Sequence, residues 1–145
     1  MKQLAIFDEM LAEFLRPLLR GSDFCVIQDP ADDLLAAVFS PCSQITVPVR
    51  CKLAVVPGEA AAAVEAEQLV TCGFSPRDTL TLSSAEGPLL SLQRQLLTLS
   101  GTRLEPQELK FHTTFPVTER ALCGLAAALS CGVPVEQVLR LTPWF

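Results

Sequence analysis

Apolar residues recur along this chain in more than one rhythm, and each change of rhythm marks a change of element. Leu4, Phe7, Leu11, Phe14 and Leu18 follow one another at spacings of three and four, which predicts one helical face over Lys2 to Arg16. Pro17 lacks the amide that such a helix needs, so the helix is expected to end or bend there. The stripe has two possible uses. It packs on the chain's own sheet, or it forms a dimer seam, since the same positions fit an a/d pattern. Continuous apolar runs follow. Phe24 to Ile27, Cys51 to Val56 and Leu69 to Phe74 read as buried strands, with a short helix expected from Asp32 to Phe39 and an alanine-rich covering helix from Glu59 to Gln68. Pro41 and Pro48 bracket an extended piece, and Pro57-Gly58 makes a turn. Strands alternating with helices in this way predict right-handed crossovers and a parallel sheet.

After Asp78 the period falls to two. Thr79-Leu80-Thr81-Leu82 and part of Leu90 to Gln93 alternate, and Ser100-Gly101-Thr102 can turn Leu96–Leu99 back on Arg103–Leu104 as a hairpin. Thr118 is placed to cap a helix that carries Glu119 in its first turn and runs from Ala121 to Ser130, where Gly132 stops it. Pro134 opens a last helix over Val135 to Leu141, and Pro143 closes it. The expected fold class is α/β: a small two- or three-layer domain with a short parallel sheet, an antiparallel β-hairpin extension and flanking helices. A single domain is expected, with an amphipathic helix over 1–20, the parallel part over 21–76, hairpins over 77–115 and helices over 116–145.

Composition narrows the functional classes. Of 145 residues, 50% are hydrophobic, more than a soluble monomer needs, which points to apolar surface hidden in a partner. With 11 Lys+Arg against 16 Asp+Glu the net charge is −5. The basic residues stand singly (Arg50, Lys52, Arg77, Arg94, Arg103), so no stripe is available to a phosphate backbone and nucleic acid is not an expected partner. Asp8 and Glu9 interrupt the region where a signal peptide needs its apolar core, and no run approaches the ~18 apolar residues of a membrane helix. A cytoplasmic protein without a membrane partner is expected. Cys25, Cys42, Cys51, Cys72, Cys123 and Cys131 form no CxxC pair, which favours reduced thiols over disulfides and argues against a bound metal.

The strand ending in Thr71-Cys72-Gly73, the polar turn, the hairpins and the helix leading to Cys131-Gly132-Val133-Pro134-Val135-Glu136-Gln137-Val138 are similar to the C-terminal half of the central domain of Mur ligases, over roughly residues 51 to 141. Those enzymes, of bacterial type, add amino acids to peptidoglycan precursors. In that family a comparable helix follows a Gly-x-His-Asn segment and leads to a Gly-Ile/Val-Pro-x-Glu-x-Ile turn. This chain departs from the family's catalytic pattern. It has no Gly-x-x-x-x-Gly-Lys-Ser/Thr, hence no backbone cradle for nucleotide phosphates, and no ATP or other cofactor is expected. Glu119-Arg120 stands where the family has His-Asn, and Pro57-Gly58-Glu59 replaces an Asn and Asp pair.

Candidate chemistry is sparse. His112 is the only histidine, and its conceivable companions are Ser83, Ser84, Cys72, Glu105 and Glu108. No catalytic residue is assigned from them, because paired serines after a strand usually bond their own turn. Cys72, Gly73 and Ser75 lie at a strand's carboxyl end, where α/β sheets place ligands, although a core thiol is the plainer reading of Cys72. Arg77-Asp78 reads as turn chemistry and a surface ion pair. Arg94, between Gln93 and Gln95, is expected either to pair with Glu105 or Glu108 or to hold an anion or peptide. Two functions follow: a non-catalytic binding or assembly module, or a small enzyme or ligand-binding protein using Cys72, Gly73 and Ser75. The module would act as a homodimer or with another protein through Leu4, Phe7, Leu11, Phe14, Trp144 and Phe145.

Overall fold

The computed structural model describes residues 2–28, 34–44, 49–83, 89–111 and 116–145. It is α/β, with a mostly parallel sheet of eight strands among the described residues. In chain order these are β1 (Lys2–Ile6), β2 (Phe24–Ile27), β3 (Leu34–Val38), β4 (Val49–Pro57), β5 (Val64–Gly73), β6 (Leu80–Ser83), β7 (Leu89–Leu92) and β10 (Gln107–Lys110). A separate antiparallel hairpin, β8 (Leu96–Leu97) with β9 (Arg103–Leu104), turns through Gly101 at φ 92°. The sheet order is β10-β7-β6-β5-β4-β3-β1-β2, parallel from β2 through β6 and antiparallel beyond. Among the described residues three α-helices flank it: α1 (Glu9–Leu15), α2 (Glu119–Ser130) and α3 (Val135–Val138).

Three expected helices prove otherwise, each for a physical reason. The helix drawn from Lys2 starts only at Glu9, because Asp8 caps it by accepting from the Met10 and Leu11 amides. Residues 2–6 are instead a central strand between β2 and β3. A strand buried on both faces is apolar at consecutive positions, so its leucine falls into helical spacing with later residues by coincidence. The segment expected as a helix from Asp32 is strand β3 over Leu34–Val38, where Ala36 and Ala37 are fully buried between neighbouring strands. Tertiary placement overrides alanine's helix propensity there. The covering helix expected from Glu59 reduces to a 3-10 stretch, Gly58–Ala63, and β5 begins at Val64. Exposed Glu65 and Glu67 alternate with half-buried Val64 and Ala66, a period-two signal hidden by the alanine count. No α-helix lies among the described residues between β2 and β6, so the sheet's cover comes from elsewhere in the chain.

That cover is α1 and α2. Leu11, Ala12 and Leu15 of α1 and seven residues of α2 (Leu122, Cys123, Leu125–Leu129) pack with Leu4, Ile6, Val38, Leu53, Val55, Val70 and Leu80 in one core. α2 is capped as expected by Thr118, whose Oγ1 accepts from the Ala121 amide at 3.0 Å, and Gly132 at φ 95° follows its end. A second cluster holds Ala5, Ala37, Phe39, Ala54 and Val56, with Phe7 stacked on Phe39 at 4.6 Å between ring centroids. The hairpin over 96–104 forms as expected, while the last helix is a single turn, Val135–Val138. No helix among the described residues is long and apolar enough to cross a membrane.

Candidate functional site

Parallel strands deliver their carboxyl ends to one edge of a sheet, and here β1, β3, β4 and β5 do so beside the first turn of α2. The order passes from β1 to β2 on one side and to β3 on the other, which makes the β1/β3 boundary the topological switch point. Asp8 follows β1 and Ser40 follows β3 at that boundary. The Asp8 side chain, 1% exposed, takes Arg120 Nε at 2.7 Å and Nη2 at 2.8 Å, a bidentate pair with α2. Ser40 Oγ donates to Asp8 Oδ2 and accepts from the Cys42 amide, while Ser43 Oγ donates to the Phe7 carbonyl at 2.6 Å. Burial alone would raise the Asp8 carboxyl. The hydrogen bonds from Arg120, Ser40 and the Leu11 amide, with the Arg120 charge, outweigh it and hold the group below its ordinary value. Every acceptor of this carboxylate is occupied, so the network fastens α1, β3 and α2 together and leaves no free valence for a ligand.

The neighbouring strand ends are open. Gly58, Glu59, Gly73, Phe74, Ser75, Arg77, Asp78 and Glu119 line a cleft of about 480 Å³. Its floor is a tight turn: Asp78 N donates to the Ser75 carbonyl, Ser75 N donates to Asp78 Oδ2 at 3.1 Å, and Arg77 N donates to Ser75 Oγ. The Asp78 carboxylate lies against two backbones. A methyl group on Gly73 would sit 2.6 Å from Asp78 Oδ2, and one on Gly58 would collide with Oδ1, so both positions need glycine for close approach. Three acidic residues, Glu59, Asp78 and Glu119, thus line this cleft together with one basic residue, Arg77. Burial raises the Glu119 pKa, and the charges of Glu59 and Asp78 raise it further. Phe74, 59% exposed, stands on the rim.

The structure brings some of the sequence candidates together and separates others. Gly73 and Ser75 line the cleft. Cys72 lies beneath it, fully buried, where desolvation, the Cys123 thiol and the carboxylates of Asp78 and Glu119 keep its thiol protonated. It is a core residue and no ligand group. Arg94 is exposed in the bend after β7, away from the cleft lining, and among the described residues it has no ion pair; Gln95 takes Glu105 instead, at 2.9 Å. Asp78 is 5% exposed and bonds the Ser75 amide, which corrects its reading as a surface partner of Arg77. His112 and Ser84 lie outside the described residues.

The proposed apolar interface divides in the same way. Leu4 and Leu11 are fully buried in the chain's own core and half-buried Phe7 stacks on Phe39 in the second cluster, so the five-residue stripe presents no common surface. Phe14 meets Phe145 edge to face at 5.2 Å, and Phe145 meets Trp144 at 5.0 Å. Trp144 is 58% exposed. Sequence reasoning overlooked Asp8, Ser40, Gly58, Glu59, Asp78 and Arg120 as site residues. A positional signal was available for Gly58 and Glu59, which directly follow strand β4. Among the described residues, no group of three His, Cys, Asp or Glu is placed to hold a metal ion. Set against family models, curated proteins and solved structures, the chain matches none of them.

Proposed function

We propose that this protein is a non-catalytic binding module, similar in plan to part of a Mur ligase central domain, whose ligand seat is the cleft at the carboxyl ends of β4 and β5. The ligand class is an organic cation, a primary amine or guanidinium. The carrying observation is the crowding of Glu59, Asp78 and Glu119 around a concave site whose floor is shaped by Gly58 and Gly73. Like charges held together cost stability, and a bound cation relieves that cost while Phe74 offers a ring face at the rim. The buried, protonated Cys72 supplies no nucleophile, which supports binding over covalent chemistry.

Putrescine tests the reading by calorimetry. Saturable binding is expected, weakening as pH falls and Glu119 takes up its proton. Glu119→Gln is expected to reduce binding at least tenfold yet leave the fold intact or more stable. The sign follows from the raised pKa: the folded state favours the protonated form, so this group's contribution is present at low pH and is lost as pH rises through its folded value. Absence of saturable binding by the wild-type chain, or undiminished binding by the variant, would refute the seat. Self-association is a second reading, carried by the exposed Trp144 in the Phe14–Phe145–Trp144 run. Sedimentation should then show a dimer that Trp144→Ser dissociates.

A further inference from the structure

A larger cleft, of about 610 Å³, opens on a different part of the molecule between the sheet and the β8–β9 hairpin. It lies where the sheet breaks its own pairing. Leu34, Cys51 and Ala66 are in register, as are Ala36, Leu53 and Gln68, but the intervening row of Leu35, Lys52 and Glu67 is left out across three strands. β3 also shifts register against β1 at this level, where Gln3 pairs with Leu34 and Leu4 with Ala36. All three residues of the skipped row line the cleft. Irregularities of this kind re-aim side chains and gather near functional sites.

The opposite wall is fixed from two sides. Gln68 behaves as a strand partner for Leu97, donating through Nε2 to its carbonyl at 2.8 Å and accepting from its amide at 3.0 Å. Leu99 N donates to the Ser130 carbonyl at the end of α2 at 2.7 Å. Leu35, Leu53, Leu97 and Leu99 therefore give the cleft apolar surface on both walls, and two basic residues, Lys2 and Lys52, line it against a single acidic one, Glu67. Neither lysine has an ion pair among the described residues. A pocket that is mostly apolar with a few convergent polar groups is the ordinary form of a small-molecule site.

We infer that this cleft binds an amphipathic anion: a single alkyl chain against the leucines with its carboxylate or phosphate head at Lys2 and Lys52. The inference is independent of the strand-end cleft. Calorimetry with octanoate, decanoate and dodecanoate, each kept below its micelle-forming concentration, tests it on the full chain. Saturable binding is expected, tightening about fourfold per added methylene. Lys52→Gln, an exposed change that leaves the core untouched, should weaken decanoate severalfold and leave decanol unchanged. Amide shifts on decanoate binding should fall on Thr98, Leu99 and Gly101. Vesicles containing phosphatidylglycerol present the same head chemistry on a lipid surface and should bind no tighter than monomeric decanoate. No saturation, equal loss of decanoate and decanol in Lys52→Gln, shifts confined to other segments, or preference for vesicles would each overturn the proposal.

Discussion

Replacing Arg120 by alanine should be the most informative single change in this molecule, because it removes the partner of a buried carboxylate without touching the core. Asp8 would keep its amide donors and Ser40 Oγ but lose two charge-assisted hydrogen bonds, at 2.7 and 2.8 Å. Removing one member of a fully buried pair costs about 3–5 kcal/mol. Arg120 is 25% exposed at its side chain and Asp8 retains other donors, so screening reduces the expected loss to about 2–3 kcal/mol. For a chain of this size that is roughly a 6–12 °C fall in Tm.

The pH dependence carries the sharper test. In the wild type the Asp8 pKa is depressed, so its contribution is full above the unfolded carboxyl value and is lost as pH falls through the folded one. Without Arg120 two of the influences that lower this carboxyl are gone, so its pKa moves up from the wild-type one and acidification costs the variant less. Urea denaturation at neutral pH and near pH 4 should therefore show the gap between the two proteins closing with acidification. A gap below about 0.5 kcal/mol at neutral pH, or one that stays constant on acidification, would refute this account of the network.

Three other outcomes follow from particular contacts. Gly73→Ala should destabilise by about 1–3 kcal/mol, because its methyl meets Asp78 Oδ2 at 2.6 Å, and adding Asp78→Ala should cost less than the two single changes summed; denaturation of the four proteins checks this. Alkylation followed by mass spectrometry should label exposed Cys42 first, with Cys51 and Cys131 slow because burial pushes their pKa values up to about 11 and about 12, and Cys72 also slow. All six thiols should be reactive once the unreduced protein is denatured. Gln68→Ala frees both backbone groups of Leu97 and should speed hydrogen exchange at the Leu97 amide while lowering stability by about 1–2 kcal/mol.

The class of fold was legible because it rests on patterns with few rivals. Apolar runs gave β2, β4 and the end of β5, the Ser100-Gly101-Thr102 turn gave the hairpin, and Thr118 with Gly132 bounded α2. Errors gathered where alanine and leucine sit in strands buried on both faces, as in β1 and β3, and where an alanine run hides a two-residue period, as at the start of β5. There the burial comes from neighbours distant in sequence, and local spacing says nothing of them. The strand-end position of Gly73 and Ser75 was readable from the strand and turn alone. Asp8, Ser40 and Arg120 were not, since 112 residues separate the ion pair and nothing local marks its members. The apolar stripe misled for the same reason: Leu4 and Leu11 share a spacing but belong to a strand and a helix.

The central claim, an organic cation seated among the carboxylates at the strand ends, meets its most direct test in an amide-resolved NMR titration with putrescine. Saturable shifts are expected at Gly58, Glu59, Gly73, Ser75, Asp78 and Glu119, fading as the solution is acidified, while the amides of Thr98 and Gly101 in the other cleft stay still. Shifts scattered over the surface without saturation, or none at these six positions, would contradict it.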